Sequence, residues 1–400
     1  MKLILLAPSD LPIPSVKGGA IETGIQQIID ENEKKHKIDI IVYSYYNQEA
    51  YEISKKYKHT RFFYYKANTL NKVEKIFIKG LNYILKKIKS NRRFNIHNLY
   101  LRFLIKNLKR YKNDVVLIKN ATNYVIPISK KTNVKIYLQL HNDFLNHDTY
   151  KAEEIVNACE GLIANSEYIK KCILTIPNVN EEKVMINKNC LSSSDFLEIT
   201  QEQKKEKAEE YHIDMNKRNI LFAGRLVPQK GIKELLYAVE KISEEIDWNL
   251  VIVGSKWFGK NVKDNFTKEL MAISQKNKEK IQFMGYVKHS DMRFLNAIVD
   301  VSVIPSIWEE PAGRVALEAQ VVGTPIIISD SGGLPEYTNK KASIIVKRGE
   351  TFIEDLEKAL TKILSDENLK IKMGEEGKRL TIPYTSEHYY NEILEELNLI

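Results

Sequence analysis

Two glutamates, Glu310 and Glu318, lie eight residues apart in the segment PSIWEEPAGRVALEAQVVGTPIIIS, residues 305–329. Pro311 favours a helix start, because proline lacks the N–H that a first helical residue leaves unpaired. On that interpretation the two carboxylates are separated by about two helical turns, roughly 12 Å at 1.5 Å per residue. Carboxylates accept charge-assisted hydrogen bonds, so the pair could hold sugar hydroxyls. The spacing alone is more often that of a surface helix with two solvated glutamates.

Two cations occur in a second segment, GRLVPQKG, residues 224–231. Arg225 leaves the end of a predicted strand, and Lys230 precedes a predicted helix N-terminus. Helix N-termini attract anions, so two cations and a helix dipole converge where negative charge would be stabilised. The alternative is a loop with two ordinary solvated cations.

Short apolar runs alternate with helix-length amphipathic stretches along the whole chain. Several runs are nearly continuous in β-branched residues, as expected of strands buried on both faces of a parallel sheet. The alternation predicts an α/β architecture with parallel sheets. The predicted strands are 2–7, 38–44, 61–66, 114–119, 134–140, 161–166, 183–188, 219–224, 249–254, 281–287, 300–305, 324–329 and 342–346.

The same layout of strand, glycine-containing loop and amphipathic helix begins at Lys2 and again at Asn219. Each is how a doubly wound unit begins, so we predict two such domains in tandem, facing a cleft lined by the carboxyl ends of both sheets. The predicted bounds are 1–190 and 218–380, with the polar stretch 191–210 as linker. A final helix within 383–400 is expected to pack back on the first domain.

The pattern PS-x-x-E-x-P-x-G, followed by LEA and GTP, resembles the donor-site region of the family 4 retaining glycosyltransferases, which have the GT-B fold. GRLVPQKG resembles that family's diphosphate-binding loop, and FMGYV (283–287) resembles its nucleobase-binding segment. INKNC (186–190) and SGGLPEY (331–337) also resemble family segments. The resemblance covers nearly the whole chain and is strongest over 219–337.

This resemblance implies a retaining glycosyltransferase that moves a hexosyl group from a nucleotide-diphosphate sugar, by family frequency a UDP-sugar, to a glycan or lipid-linked acceptor. It implies that Glu310 binds hydroxyls of the donor sugar and Glu318 binds the ribose. Arg225 and Lys230 would stabilise the leaving diphosphate, and His141, which ends the strand VKIYLQL, would lie near the transferred sugar.

Further donor-binding positions follow from the same resemblance. The Gly-Gly pair after the first strand resembles a loop that closes over the diphosphate, and backbone groups would hold the base and phosphates. These residues are Gly18, Gly19, Gly224, Tyr286, Val287, Gly313, Arg314 and Val315.

The opening LPIPSVKGGAIET is most similar to a bacterial subgroup associated with capsule, exopolysaccharide or spore-coat polysaccharide. Two positions depart from the family pattern. Ala312 occurs where many members have Phe, and Arg314 occurs where an aliphatic residue is usual. An arginine there could contact the diphosphate or a charged sugar, so the identity of the donor stays open.

A metal-dependent transferase would be expected to carry Asp-x-Asp, and none of the 15 aspartates is followed two positions later by another. We therefore predict no metal and no cofactor besides the nucleotide-sugar substrate. The absence of Gly-x-Ser-x-Gly argues against a hydrolase triad.

The net charge of +9 is concentrated in residues 71–112, which hold 13 Lys/Arg and one acid. Within it, IFIKGLNYILKKIKSNRR is predicted to form a basic amphipathic helix. Such a helix could lie on an anionic membrane surface, or its apolar face could pack on the sheet with the lysines solvated. Nothing resembles a nucleic-acid-reading motif, although a basic nucleic-acid-binding protein is the rival that charge alone supports.

Composition and cysteine usage fit an ordinary globular protein, with 43% hydrophobic and 28% charged residues. Three cysteines without a CxxC pair argue for a reducing compartment, and the first residues are too short an apolar run for a signal peptide. We expect a cytoplasmic protein, peripheral on the membrane if the basic segment docks there. A non-catalytic sugar-nucleotide-fold subunit or coat component is the alternative function.

Overall fold

The computed structural model describes residues 1–7, 11–66, 96–254 and 265–400, and for residues 96–98 it describes the backbone alone. The chain divides into two compact units. The first comprises residues 1–164, 170–187 and 390–400, and the second comprises residues 165–169 and 188–389.

The first unit contains a parallel sheet in the order β3-β2-β1-β4-β5-β6-β7 among its described residues. Its strands are β1 Lys2–Leu6, β2 Asp39–Tyr45, β3 Thr60–Tyr65, β4 Lys112–Lys119, β5 Asn133–Leu140, β6 Gly161–Ala164 and β7 Val184–Ile186. Its helices are α1 Ala20–Lys35, α2 Gln48–Ser54, α3 Ile96–Leu108, α4 Thr122–Ser129, α5 Ala152–Asn157 and α6 Glu167–Leu174, of which α6 begins in the second unit.

The second unit contains a parallel sheet in the order β10-β9-β8-β11-β12-β13. Its strands are β8 Arg218–Ala223, β9 Trp248–Val253, β10 Ile281–Gly285, β11 Val301–Ile304, β12 Ile326–Ser329 and β13 Ser343–Val346. Its helices are α7 Gln201–Glu210, α8 Ile232–Val239, α9 Asn265–Ile273, α10 His289–Ile298, α11 Arg314–Gln320, α12 Phe352–Ser365 and α13 Glu367–Thr381.

Helices cover both faces of the second sheet, which explains its continuous apolar strands. On one face, α8 and α12 bury Leu235 and Leu360 against the sheet. On the other face, α7 and α10 bury Ala208 and Leu295 against Leu221. The α/β prediction with two doubly wound parallel sheets is thereby confirmed.

The strand order of each sheet reverses at one place. The first sheet reverses between β1 and β4, and the second reverses between β8 and β11. In open parallel sheets, the loops that leave such neighbouring strands in opposite directions open a crevice at the carboxyl edge, where ligands bind. The loop after β8 carries the predicted cations Arg225 and Lys230, and the loop after β11 carries Glu310.

The last helix, α14, spans Ser386–Glu396, and the chain from Tyr390 onward belongs to the first unit. The buried Tyr390 hydroxyl donates a 2.6 Å hydrogen bond to Asn32 Oδ1 on α1. Asn398 Nδ2 donates to the hydroxyl of Tyr137 on β5. The chain from Tyr390 onward therefore contacts α1 and β5 of the first unit.

Two further predictions concern the linker at 191–210 and the basic helix within 71–112. The polar stretch 191–210 contains α7, which begins at a capping box formed by Thr200 and Gln203, and it belongs to the second unit. The predicted basic helix lies outside the described residues, so the choice between membrane docking and sheet packing stays a prediction.

Candidate functional site

The loop after β8 begins where three strand ends meet. Gly254, after β9, has φ +136°, and a Cβ there would lie 1.8 Å from the carbonyl oxygen of Gly224. Gly254 N also donates to Gly285 O at 2.8 Å, which joins the end of β10 to the same cluster. Because the backbones approach so closely, only glycine fits at 254. The segments that begin at Arg225 and Tyr286 therefore leave the sheet side by side.

Lys230 is positioned by the glycine that follows it. Gly231 has φ +69°, and a Cβ there would lie 1.8 Å from the carbonyl oxygen of Pro305. Ile307 N donates to Gln229 O at 3.0 Å across the same contact. The loop after β8 is thus packed backbone to backbone against the loop after β11.

Lys230 and Glu310 form an ion pair at this contact, with Nζ 2.5 Å from Oε1. The Ser306 hydroxyl donates to the same carboxylate oxygen. Glu310 is only 6% exposed, so its charge is largely withdrawn from water and needs these partners. Glu310 Oε2 accepts no hydrogen bond from the residues that the structure describes.

The backbone of Glu310 is fixed by the loop after β12. Its N–H donates to Ser331 Oγ at 3.0 Å, and its carbonyl accepts from Gly333 N at 2.6 Å. Gly332 has φ +48°, and a Cβ there would lie 2.4 Å from the Glu310 carbonyl oxygen. These contacts explain the Ser-Gly-Gly sequence at 331–333.

The predicted helix start at Pro311 is wrong. Helix α11 begins at Arg314, with Gly313 as its N-cap, so Glu310 precedes the helix and is not part of it. The physical reason is that the Glu310 carbonyl accepts from Gly333 N, whereas a helix that began at Pro311 would use this carbonyl for its first intrahelical bond. Only about one turn of helix, from Arg314 to Glu318, separates the loop from the second carboxylate.

Gly313 is held against a buried tyrosine. A Cβ at 313 would lie 2.7 Å from Tyr337 Cβ, although its φ of −111° is open to any residue. The close approach therefore explains the glycine. The start of α11 is consequently fixed against the short 3₁₀ helix Leu334–Tyr337.

Arg314 and Glu318 bind each other along one face of α11. Arg314 Nε lies 2.9 Å from Glu318 Oε1, and both side chains are mostly buried, at 17% and 15% exposed. His289 Nε2 lies 3.5 Å from Arg314 Nη2 and 3.9 Å from Glu318 Oε1. Burial acts to lower the pKa of Arg314, but the carboxylate of Glu318 outweighs it and the pKa is raised. The arginine thus sits as a counter-ion to Glu318.

Arg225 differs from the other cations of the site. Its side chain is exposed and makes no hydrogen bond or ion pair with any described residue. Among the predicted base-binding residues, Tyr286 is 51% exposed, whereas Val287 packs partly against the core under β9. Val315 packs against the cluster between α11 and β12.

In the first unit, the predicted residues lie at the carboxyl edge of its own sheet. Gly18 and Gly19 have φ of +70° and +107° and lead directly into α1. A Cβ at Gly19 would lie 2.2 Å from Glu22 Oε2. His141 follows β5, and its backbone N–H donates to Asn120 Oδ1 at 3.1 Å.

Sequence reasoning missed several residues that organise the site. Ser306 and Ser331 were part of quoted motifs but were assigned no role. Trp308 has a buried indole N–H that finds no acceptor among the described residues, and its ring lies 5.8 Å from Lys230 Nζ. His289 belongs to none of the motifs. It lies near Arg314 because α10 packs beside α11, and no local sequence pattern indicates that packing.

Metal clusters and membrane-spanning helices are both missing from the described part of the chain. No group of three or more His, Cys, Asp or Glu side chains in residues 1–7, 11–66, 96–254 and 265–400 is placed to hold a metal ion. Within the same residues, no helix is both long and apolar enough to cross a bilayer.

Comparison with known proteins gives matches over both units. Residues 203–380 match the family model of glycosyl transferases group 1. Spore coat protein SA of Bacillus subtilis is 27% identical over 389 residues, covering 95% of this chain and 94% of that protein. The putative glycosyltransferase YtcC of the same organism is 26% identical over 390 residues, covering 95% and 87%.

The fold also matches solved structures. HepE of Anabaena, crystallised with UDP-glucose, superposes with a TM-score of 0.74 over all of both chains, at 17% sequence identity. At that identity the match establishes the fold, which is GT-B.

Proposed function

We propose that the chain is a retaining glycosyltransferase that uses a UDP-linked hexose, because residues 203–380 match the family model of glycosyl transferases group 1. The acceptor is a glycan or a lipid-linked glycan of a surface polysaccharide. The observation that carries the proposal is the Lys230–Glu310 pair at the switch point of the second sheet, with the exposed Arg225 in the same loop as Lys230.

The cations support binding of a diphosphate. Arg225 has no anionic partner among the described residues, and Lys230 is the other cation of the loop. A guanidinium binds phosphate oxygens in a bidentate manner, whereas an ammonium acts as a point charge. The N-terminus of α8 follows Lys230 directly and adds a favourable dipole.

The carboxylates support binding of the sugar and the ribose. Glu310 offers Oε2 while Lys230 and Ser306 occupy Oε1. Glu318 likewise offers Oε2, since Arg314 occupies its Oε1. In each case a cation neutralises the carboxylate before the ligand arrives. Each carboxylate is therefore already oriented by its cation when it accepts a hydroxyl.

In the proposed reaction the bond between the anomeric carbon and the β-phosphate oxygen breaks, and a bond to the acceptor oxygen forms on the same face. The acceptor hydroxyl gives its proton to the departing phosphate oxygen. The negative charge that develops on the leaving UDP is stabilised by Arg225 and Lys230. The backbone N–H groups at Gly313 and Arg314, at the start of α11, add to this stabilisation. No metal ion is assigned to the step. Preorganised charge of this kind commonly lowers the activation barrier more than any other single effect does.

The relatives support the choice of donor and pathway. HepE has been crystallised with UDP-glucose, and one relative in Bacillus subtilis that matches over nearly its full length is spore coat protein SA. The concentration of positive charge in residues 71–112 supports contact with an anionic membrane, where a lipid-linked acceptor would be found. Sedimentation with anionic liposomes tests this part, and pelleting unaffected by Lys86→Glu, Lys87→Glu and Lys89→Glu contradicts it.

The function is tested by incubating the protein with a panel of UDP- and GDP-sugars and measuring nucleotide release. Release is expected from one donor and is expected to be lost in Glu310→Gln, which keeps the shape of the side chain and removes its charge. Glu357→Gln, on the surface of α12, is the matched control and should retain full activity. Equal release from wild type and Glu310→Gln would contradict the assignment of the site.

A coat component that binds nucleotide sugars without turnover is the second candidate, favoured by the near full-length match to spore coat protein SA. It predicts binding of UDP that depends on Arg225, with no release of nucleotide from any donor in the presence of polysaccharide acceptors.

A further inference from the structure

Arg348 lies in the loop after β13 and binds two acidic residues from two other loops. Its Nη2 lies 2.7 Å from Glu309 Oε1, and its Nε lies 3.1 Å from Asp330 Oδ1. The backbone N–H of Arg348 also donates to Asp330 Oδ1 at 3.0 Å. One guanidinium therefore ties together the loops after β11, β12 and β13, which are adjacent in the sheet.

Glu309 continues this connection toward Glu310. Its second carboxylate oxygen, Oε2, accepts from Gly332 N at 2.5 Å. Gly332 in turn packs against the backbone of Glu310 so closely that no Cβ fits between them. The chain of contacts therefore runs from Arg348 through Glu309 and Gly332 to the backbone of Glu310.

We propose that Arg348 is a positioning residue that fixes the Glu310 carboxylate for the donor sugar through Glu309 and Gly332. The inference rests on the proposed function and extends it to a residue that does not touch the donor. Position 348 lies outside the sequence motif that contains Glu310, which spans residues 305–329.

Charge explains why an arginine is needed. Within the described residues, Arg348 binds the carboxylates of both Glu309 and Asp330. Without it, two carboxylates held within reach of one guanidinium repel each other, and the loop that carries Glu310 relaxes. A displacement near 1 Å at a reacting centre can cost about 10²-fold in rate. Lysine would restore the charge but not the fork that reaches both partners.

The test measures kcat with the nucleotide sugar that the wild type uses as donor. It also measures the Kd for UDP as a probe of binding. Arg348→Ala is expected to lower kcat by roughly 10-fold or more and to leave the Kd for UDP within about twofold. Arg348→Lys should recover part of the loss. Glu309→Gln should reproduce part of the defect, and the double variant Glu309→Gln/Arg348→Ala should be no worse than Arg348→Ala alone.

Arg379→Ala is the matched control, because Arg379 forms an equally close ion pair with Glu376 on α13. It should keep wild-type kcat. An Arg348→Ala variant with wild-type kcat, or one that loses UDP affinity in proportion to kcat, overturns the inference while the proposed function stands. If Arg348→Ala does not fold, Glu309→Gln decides by the same two readouts. A wild type that releases nucleotide from no donor contradicts the proposed function, and the inference falls with it.

Discussion

Lys230 Nζ lies 2.5 Å from Glu310 Oε1, although eighty positions separate the two residues along the chain. The pair joins the two loops that leave the sheet at its switch point. Under the proposed function, it places the cation proposed for the diphosphate directly beside the carboxylate proposed for the sugar. Without a ligand, the charge of Glu310 is therefore neutralised by Lys230. A bound diphosphate would share Lys230 with Glu310.

The first prediction concerns the stability of this pair. Lys230→Met is expected to lower the free energy of unfolding by about 2 kcal/mol, because a largely buried carboxylate loses its charged partner. Glu310→Gln in the same background should recover most of the loss, since the orphaned charge is then removed. Urea unfolding of the single and double variants measures both. Additive losses in the double variant would mean that the two side chains do not interact.

A second prediction concerns the ribose. The wild type should bind UDP more tightly than 2′-deoxy-UDP, because Glu318 Oε2 is available to a ribose hydroxyl. Glu318→Gln should reduce this preference several-fold with little effect on 2′-deoxy-UDP. Calorimetric titration of both nucleotides gives the ratio. A preference unchanged in Glu318→Gln would remove the carboxylate from the ribose site.

Two glycines with nearly equal φ angles distinguish the cost of backbone strain from the cost of a steric clash. Gly231 and Gly18 have φ of +69° and +70°, but among the residues that the structure describes only Gly231 has a neighbouring backbone where its Cβ would lie. Gly18→Ala should cost about 1 kcal/mol for the left-handed conformation. Gly231→Ala should cost about 3 kcal/mol, because the loop must also move away from Pro305. Similar costs in unfolding experiments would contradict the close packing of the two loops.

Glu396 on α14 predicts a pH dependence of stability. Burial, followed by the charges of Glu392 and Glu395, raises its pKa from 4.5 to about 8. The folded protein then holds the proton more tightly than the unfolded chain does. The stabilisation is fully present below about pH 4.5 and decreases as pH rises to about 8. Glu396→Gln should flatten this decrease in thermal unfolding curves, and an unchanged slope would contradict the shift.

Much of the fold was predictable because each strand carries its own signal. Runs such as TPIIIS are apolar on both faces, and the strand at Ile326–Ser329 is fully buried. The order of the strands, in contrast, is a property of the assembled sheet. No local pattern at Arg348 indicates that it lies beside Glu309, 39 positions away.

The site was predictable to a different degree at each residue. Arg314 and Glu318 are four positions apart on a helix, so their pairing follows from helical geometry. The Lys230–Glu310 pair instead depends on Gly231 packing against Pro305, which the sequence does not encode locally. The helix start at Pro311 was predicted wrongly because the hydrogen bond from Gly333 N to the Glu310 carbonyl overrides the preference of proline for the first turn.

In the proposed mechanism, Arg225 and Lys230 hold the diphosphate without a metal ion. The decisive measurement is the affinity for UDP and UMP in EDTA, in the wild type and in Arg225→Met. We predict that the wild type in EDTA prefers UDP over UMP by at least about tenfold, because the second phosphate adds charge-assisted hydrogen bonds. Arg225→Met should lose most of this preference. A UDP affinity that disappears in EDTA and returns with Mg²⁺ or Mn²⁺, or a preference unchanged in Arg225→Met, would contradict the mechanism.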